Sequence, residues 1–157
     1  MQLAAERIFQ TKGIEAVVIP FGGAKESLQN FLGGHVDIYG GSISTVLPHV
    51  EAGTAVCPLV TSAADVAALP GASGLASLGM GDKETLLWRA ILGPKGLDPE
   101  IVTKLADIIE AAVNDPGYVE FLATKGETPN VVKGDALGQR LQDEFDGLAE
   151  VSKSLGL

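Results

Sequence analysis

Two rhythms of apolar and polar positions run along the chain. The first is a short block of consecutive β-branched residues, Ala16-Val-Val-Ile19, which ends in Pro20, Phe21, Gly22 and Gly23. A helical rhythm begins at once, with Ala24, Leu28, Phe31 and Leu32 recurring at i, i+4, i+7 and i+8. This pattern predicts a strand that stops at a Gly-rich turn and feeds a helix N-terminus. The plan then repeats, with a strand over Val36 to Tyr39, a turn at Gly40-Gly41-Ser42 and a helix over Ser44 to Ala52. Turns of this kind present unpaired backbone N–H groups at a positive dipole end, which suits anionic ligands.

The same reading extends to the rest of the chain. A first amphipathic helix is expected over residues 1 to 12, with Leu3, Ala4, Ile8 and Phe9 inward and Gly13 closing it. Ala55 to Thr61 is apolar on consecutive positions, as a buried parallel strand should be, although Pro58 argues for an edge or a break. Residues 62 to 85 are rich in small residues, with Pro70 and glycines 71, 74, 79 and 81. They predict a loop-rich connection with short helical turns at most, crossing between two lobes. Leu86 to Leu92 reads as another strand. Asp98-Pro99-Glu100 is a strong helix start, followed by a stripe of Ile101, Leu105, Ile108, Ile109 and Ala112. Asn114 to Gly117 ends that helix and starts a short one with Val119 and Leu122 inward, closed by Gly126. Thr128 to Val132 is a short extended piece. Asp135 is expected to cap a last helix carrying Leu137, Leu141, Leu148, Val151 and Leu155. Strands alternating with helices give an α/β class.

Bulk properties narrow the function. At 157 residues, 46% hydrophobic and 20% charged, the chain can bury one good core or two small ones. A net charge of −9 argues against nucleic-acid or anionic-membrane partners. It leaves small anions open, because a helix N-terminus binds them without help from net charge. The lone Cys57 excludes an internal disulfide and reads as a small buried hydrophobe. No apolar run is long enough to span a bilayer, and residues 1 to 12 lack the pattern of a secretory signal. His35 and His49 have no partners at metal-ligand spacing, so no metal or other cofactor is expected. No nucleophile–base–orienter set is present, so the chain is not expected to be an enzyme.

The ordered motifs resemble a known family. Pro20-Phe-Gly-Gly-Ala24, Leu32-Gly-Gly-His-Val-Asp37 and Leu47-Pro-His-Val-Glu-Ala-Gly53 come first, then Leu59-Val-Thr-Ser62, Leu69-Pro70 and Trp88. Gly93-Pro-Lys-Gly96, Pro99-Glu-Ile-Val102, Asp115-Pro116 and Gly126 follow. Together they are similar to the second half of the Bug family, the TctC-type solute receptors of tripartite tricarboxylate transporters. The resemblance implies a type II periplasmic-binding-protein-like α/β fold, with most of lobe two and the C-terminal part of lobe one. Residues 1–62 would belong to lobe two, 63–85 to the inter-lobe connection and 86–157 to lobe one. It further implies a periplasmic location, a small carboxylate ligand held in an inter-lobe cleft, and the transporter's membrane subunits as partners.

The candidate ligand-binding set is Phe21, Gly22, Gly23, Ala24, Asp37, Gly41 and Ser42. Each has a plain structural reading beside it. Gly22 and Gly23 could serve a tight turn needing positive φ or close packing. Ser42 could cap the helix that follows it, and Asp37 could bond a neighbouring turn. Trp88 reads as core or hinge packing in preference to lining the cleft. The family's common Tyr-Lys-Gly-Gly pattern is replaced here by Phe21-Gly22-Gly23-Ala24, so this turn offers backbone amides without a hydroxyl or an ammonium. Family chains are also considerably longer, with a leader and a first half of lobe one. A second reading is therefore a truncated protein without transport function that persists as a homo-oligomer, its partner covering exposed apolar surface.

Overall fold

The computed structural model describes residues 2–156, so Met1, expected in the first helix, and the terminal Leu157 lie outside the described residues. Six α-helices follow one another: α1 (Gln2–Lys12), α2 (Ala24–Leu32), α3 (Ile43–Glu51), α4 (Pro99–Val113), α5 (Pro116–Ala123) and α6 (Asp135–Ser154). Two 3₁₀ turns, Leu75–Leu78 and Gly81–Lys83, lie between α3 and α4.

The helix ends form for the reasons their residues suggest. Gly13 takes φ 64° after α1, a left-handed C′ conformation that costs glycine nothing. The Asp98 carboxylate accepts from the Glu100 amide at 2.8 Å with Pro99 in the first turn of α4. Asp115 does the same for Gly117 and Tyr118 at the start of α5. At α6 the cap differs from expectation. Gly134, at φ 62°, holds the N-cap position, and Asp135 is the first helical residue, where its charge still meets the dipole favourably.

The expected strands are extended but unpaired. Among the described residues the one β-bridge is a parallel contact between Leu59 and Ser73. A parallel strand gains its ladder bonds only from neighbours brought alongside by crossovers, and segments 16–20, 36–39 and 86–92 find none. Val17 is 90% exposed, Ile38 65% and Leu92 80%. The α4 stripe is likewise uncovered: Ile101, Leu105 and Ile108 are all about half exposed.

The core lies in the segment read as a connection. Ile8 of α1 packs with Leu75 and Met80, flanked by Leu59. Val60, Leu69 and Ala72 form a second cluster, against which Ile43, Val46, Leu47, Val50 and the half-buried Cys57 pack. Backbone bonds weave these residues together without a regular element: Val60 N–H to Ser73 O at 3.0 Å, Leu75 N–H to Ser62 O at 2.8 Å, and Thr85 N–H to Thr61 O at 3.0 Å. Gly74 is buried, and an added Cβ would sit 2.5 Å from the Ala64 carbonyl carbon, so no other residue fits. Arg7 of α1 clamps the end of this segment, donating to Lys83 O and to the hydroxyl of buried Thr85. α6 closes against α1, with Gln10 donating to Ser154 at 3.2 Å. Trp88, expected to pack in a core or hinge, is instead half exposed, because its indole N–H reaches out to Glu144 of α6 at 2.8 Å.

The accessible surface is 10747 Å². A compact monomer of 16.2 kDa would expose about 7,500 Å². The helices are in place, but much of the apolar surface they and the extended segments carry is left open.

Candidate functional site

The first glycine turn leads into α2. Gly23 occupies the N-cap position in fully extended backbone (φ 174°, ψ 172°), and no side chain caps the helix there. Its carbonyl accepts from Ser27 at 3.1 Å. The amides of Gly23, Ala24, Lys25 and Glu26 have no acceptor among the described residues, the usual condition of a first turn. The glycines are not explained by strain, since neither Gly22 nor Gly23 has positive φ. Packing does not explain Gly23 either, because a Cβ there would meet nothing within 4 Å. At Gly22 it would meet only the flexible end of Glu26, at 3.1 Å.

Glu26 is the residue that sequence reasoning passed over. Its carboxylate accepts from the Gly22 amide at 2.9 Å. A glutamate at the third helical position has the spacing of a capping box from Gly23 to Glu26, but here it reaches one residue further back, to the amide before the N-cap. The contact shows that this turn does hold a carboxylate, here one supplied by the chain itself.

The second turn leads into α3. Ser42 sits at the N-cap in extended backbone (φ −72°, ψ 154°), yet its hydroxyl makes no bond to the helix amides. It joins the hydroxyls of Ser44 and Thr45 at 3.1 and 2.8 Å. The Ile43 and Ser44 amides therefore have no acceptor among the described residues. Gly40 has open space where a Cβ would stand. Gly41 is different, since a Cβ would lie 2.5 Å from the Tyr39 ring. That ring stacks on Phe31 of α2 with centroids 6.0 Å apart, so Tyr39 ties the second turn to the helix of the first. Burial pushes the Tyr39 hydroxyl above the ordinary tyrosine pKa.

Of the remaining candidates, Phe21 is half-buried, Ala24 is exposed, and Asp37 is exposed at a bend with no hydrogen-bond partner among the described residues. Two surface concavities occur elsewhere. One lies along α4 beside Pro99, Thr103 and Asp107, and the other lies between α1 and α6 beside Leu3, Phe145 and Ser152. Neither contains a residue of the two glycine turns. No cluster of metal-ligating side chains occurs among the described residues, and no helix there is long and apolar enough to cross a membrane.

The family model described as "Tripartite tricarboxylate transporter family receptor" matches residues 1–157. The chain is 28% identical over 150 residues to Protein BugT of Bordetella pertussis, covering 95% of this chain and 46% of that protein. It is 29% identical over 157 residues to a UPF0065 protein from the gbd 5′ region of Cupriavidus necator, covering all of this chain and 47% of the relative. It thus spans about half the length of both relatives. Two solved structures share the fold. One, described as a periplasmic transporter, has a TM-score of 0.81 at 21% identity, over 96% of this chain and 50% of the other. The second, R. palustris Rpa4515 with adipate, has a TM-score of 0.82 at 24% identity, over 99% and 52%. The periplasmic-binding-type α/β course is therefore present here, although its strands are not laddered.

Proposed function

The chain belongs to the tripartite tricarboxylate transporter receptor family, and from that premise we propose that it contributes one side of a small-carboxylate site. The two helix starts, at Gly22–Glu26 and Gly41–Ser44, would hold the ligand's carboxyl groups through backbone amides. One observation carries this reading. Gly22, Gly23 and Gly40 stand where neither positive φ nor the close approach of a rigid protein group calls for glycine, beside amides with no acceptor among the described residues. Open backbone of that kind lets an anion approach closely. Tyr39 would keep the two starts at a fixed separation through its stack on Phe31.

In this reading residues 1–62 form part of one lobe, 63–85 the connection and 86–157 part of the other. The site would face the cleft between the lobes, in a periplasmic receptor that delivers its solute to membrane subunits of the transporter. Adipate bound to a fold relative makes unbranched dicarboxylates the first ligands to try. Asp37, exposed and without a hydrogen-bond partner among the described residues, would favour a ligand with a donor group over a purely anionic one. No catalytic role is assigned to any residue.

Calorimetric titration of the full chain with a panel of di- and tricarboxylates tests this. Binding heat is expected for at least one member, with affinity reduced tenfold or more in Gly23→Val, whose side chain would stand in the approach path. Absence of heat and of thermal shift for every member at millimolar concentration would overturn it.

A further inference from the structure

The two helix starts carry unequal chemistry. At the first, the Gly22 amide is already taken by the chain's own carboxylate, Glu26, at 2.9 Å. The neighbouring amides of Gly23, Ala24 and Lys25 have no acceptor among the described residues. Residues 21–39 set Lys25 against Glu26 and Asp37, so this end is net acidic.

The second start is free of charge. Residues 40–50 contain no Asp, Glu, Lys or Arg. The acceptor-free amides of Ile43 and Ser44 are accompanied there by hydroxyls, with Ser42 joined to Ser44 and Thr45 at 3.1 and 2.8 Å. The Tyr39 ring lies against Gly41 of the same turn, and its hydroxyl has no hydrogen-bond partner among the described residues. Burial raises the pKa of that hydroxyl, so it stays a donor.

These differences sort the two ends of a ligand. A carboxylate at the second start meets amide and hydroxyl donors with no anion on that turn or helix start, and its hydrogen bonds are charge-assisted. A carboxylate on the free amides of the first start would come within about 4–6 Å of Glu26, where like charges disfavour one another. A carboxamide oxygen accepts from the same amides without that repulsion, and its NH₂ group can donate to the Glu26 carboxylate.

We propose that the site selects a monocarboxylate whose far end is a neutral polar group of the carboxamide kind. The carboxylate goes to the Gly41–Ser44 start, the neutral end goes to the Gly22–Glu26 start, and Glu26 sets the preference. This rests on the two helix starts forming one carboxylate site, and it narrows the ligand class of that site.

Calorimetric titration of the full chain with succinate, glutarate and adipate, each beside its own monoamide, tests it. At least one monoamide is expected to bind about tenfold more tightly than the diacid of the same length. Glu26→Gln should shrink that preference several-fold by raising diacid affinity, with the monoamide little changed. Diacids that bind as tightly as their monoamides, or a preference that survives Glu26→Gln, would overturn the proposal and leave the carboxylate site intact. No heat from either member of any pair would overturn the carboxylate site itself, and this preference with it.

Discussion

Segment 62–85 and segments 14–21 and 86–94 reverse what their sequences suggest. The first has small residues, five prolines and glycines, and no periodicity, yet it holds Leu75 at 0%, Met80 at 1% and Leu69 at 3% exposure. The others have the β-branched, apolar runs of buried strands, yet Val17 and Leu92 stand almost fully in solvent. A loop is buried when its backbone groups find partners, as Leu75 does at Ser62 and Thr85 does at Thr61. A strand is buried only when a second strand lies beside it, which no local pattern can guarantee.

The largest predicted effect belongs to the irregular region. Leu75→Ala should cost about 2–5 kcal/mol in urea unfolding, the range for a fully buried leucine. Leu92→Ala should cost less than about 0.5 kcal/mol, because its side chain is 80% exposed. Equal costs would erase the contrast. A step smaller, Gly74→Ala should destabilise by about 1–3 kcal/mol, since its Cβ would collide with rigid backbone at Ala64. Arg7→Met should cost about 1–3 kcal/mol by leaving the buried Thr85 hydroxyl without its donor, measured by thermal unfolding.

At the candidate site the effects are smaller and opposed. Glu26→Gln should weaken α2 by about 0.3–1 kcal/mol through loss of a charge at the helix start. It should raise dicarboxylate affinity several-fold, because a competing carboxylate charge leaves the Gly22 amide. A fall in affinity would show that Glu26 helps to hold the ligand. The smallest effect is at Lys133, whose pKa is raised by hydrogen bonds to Asp107 at 2.8 Å and Glu110 at 2.6 Å. With the folded value raised, any stabilisation is complete below the ordinary lysine pKa and fades only as pH rises through the folded one. Lys133→Met should therefore leave neutral-pH stability nearly unchanged, with any difference vanishing in about 1 M salt.

How much of this was legible follows from the same distinction. Helix positions were readable because their causes are local: Asp98-Pro99, Asp115-Pro116 and Gly13 mark their own ends. The glycine turns were readable as turns feeding helices, and α3 begins within one residue of its expected start. Pairing was not readable, since the partners of Val60 and Thr85 lie 13 and 24 residues away, at Ser73 and Thr61. At the site, Glu26 was hidden among the polar residues of an amphipathic helix, although its capping-box spacing could have exposed it. Tyr39 was read as a strand end, and its role emerges only from the ring lying against Gly41.

Hydrogen exchange followed by mass spectrometry, read on peptides covering 59–85 and 14–20, tests the central contrast most directly. Slow exchange over 59–85 is expected, with fast exchange over 14–20. Rapid exchange over 59–85, or protection of 14–20 as strong as that of 59–85, would contradict the account.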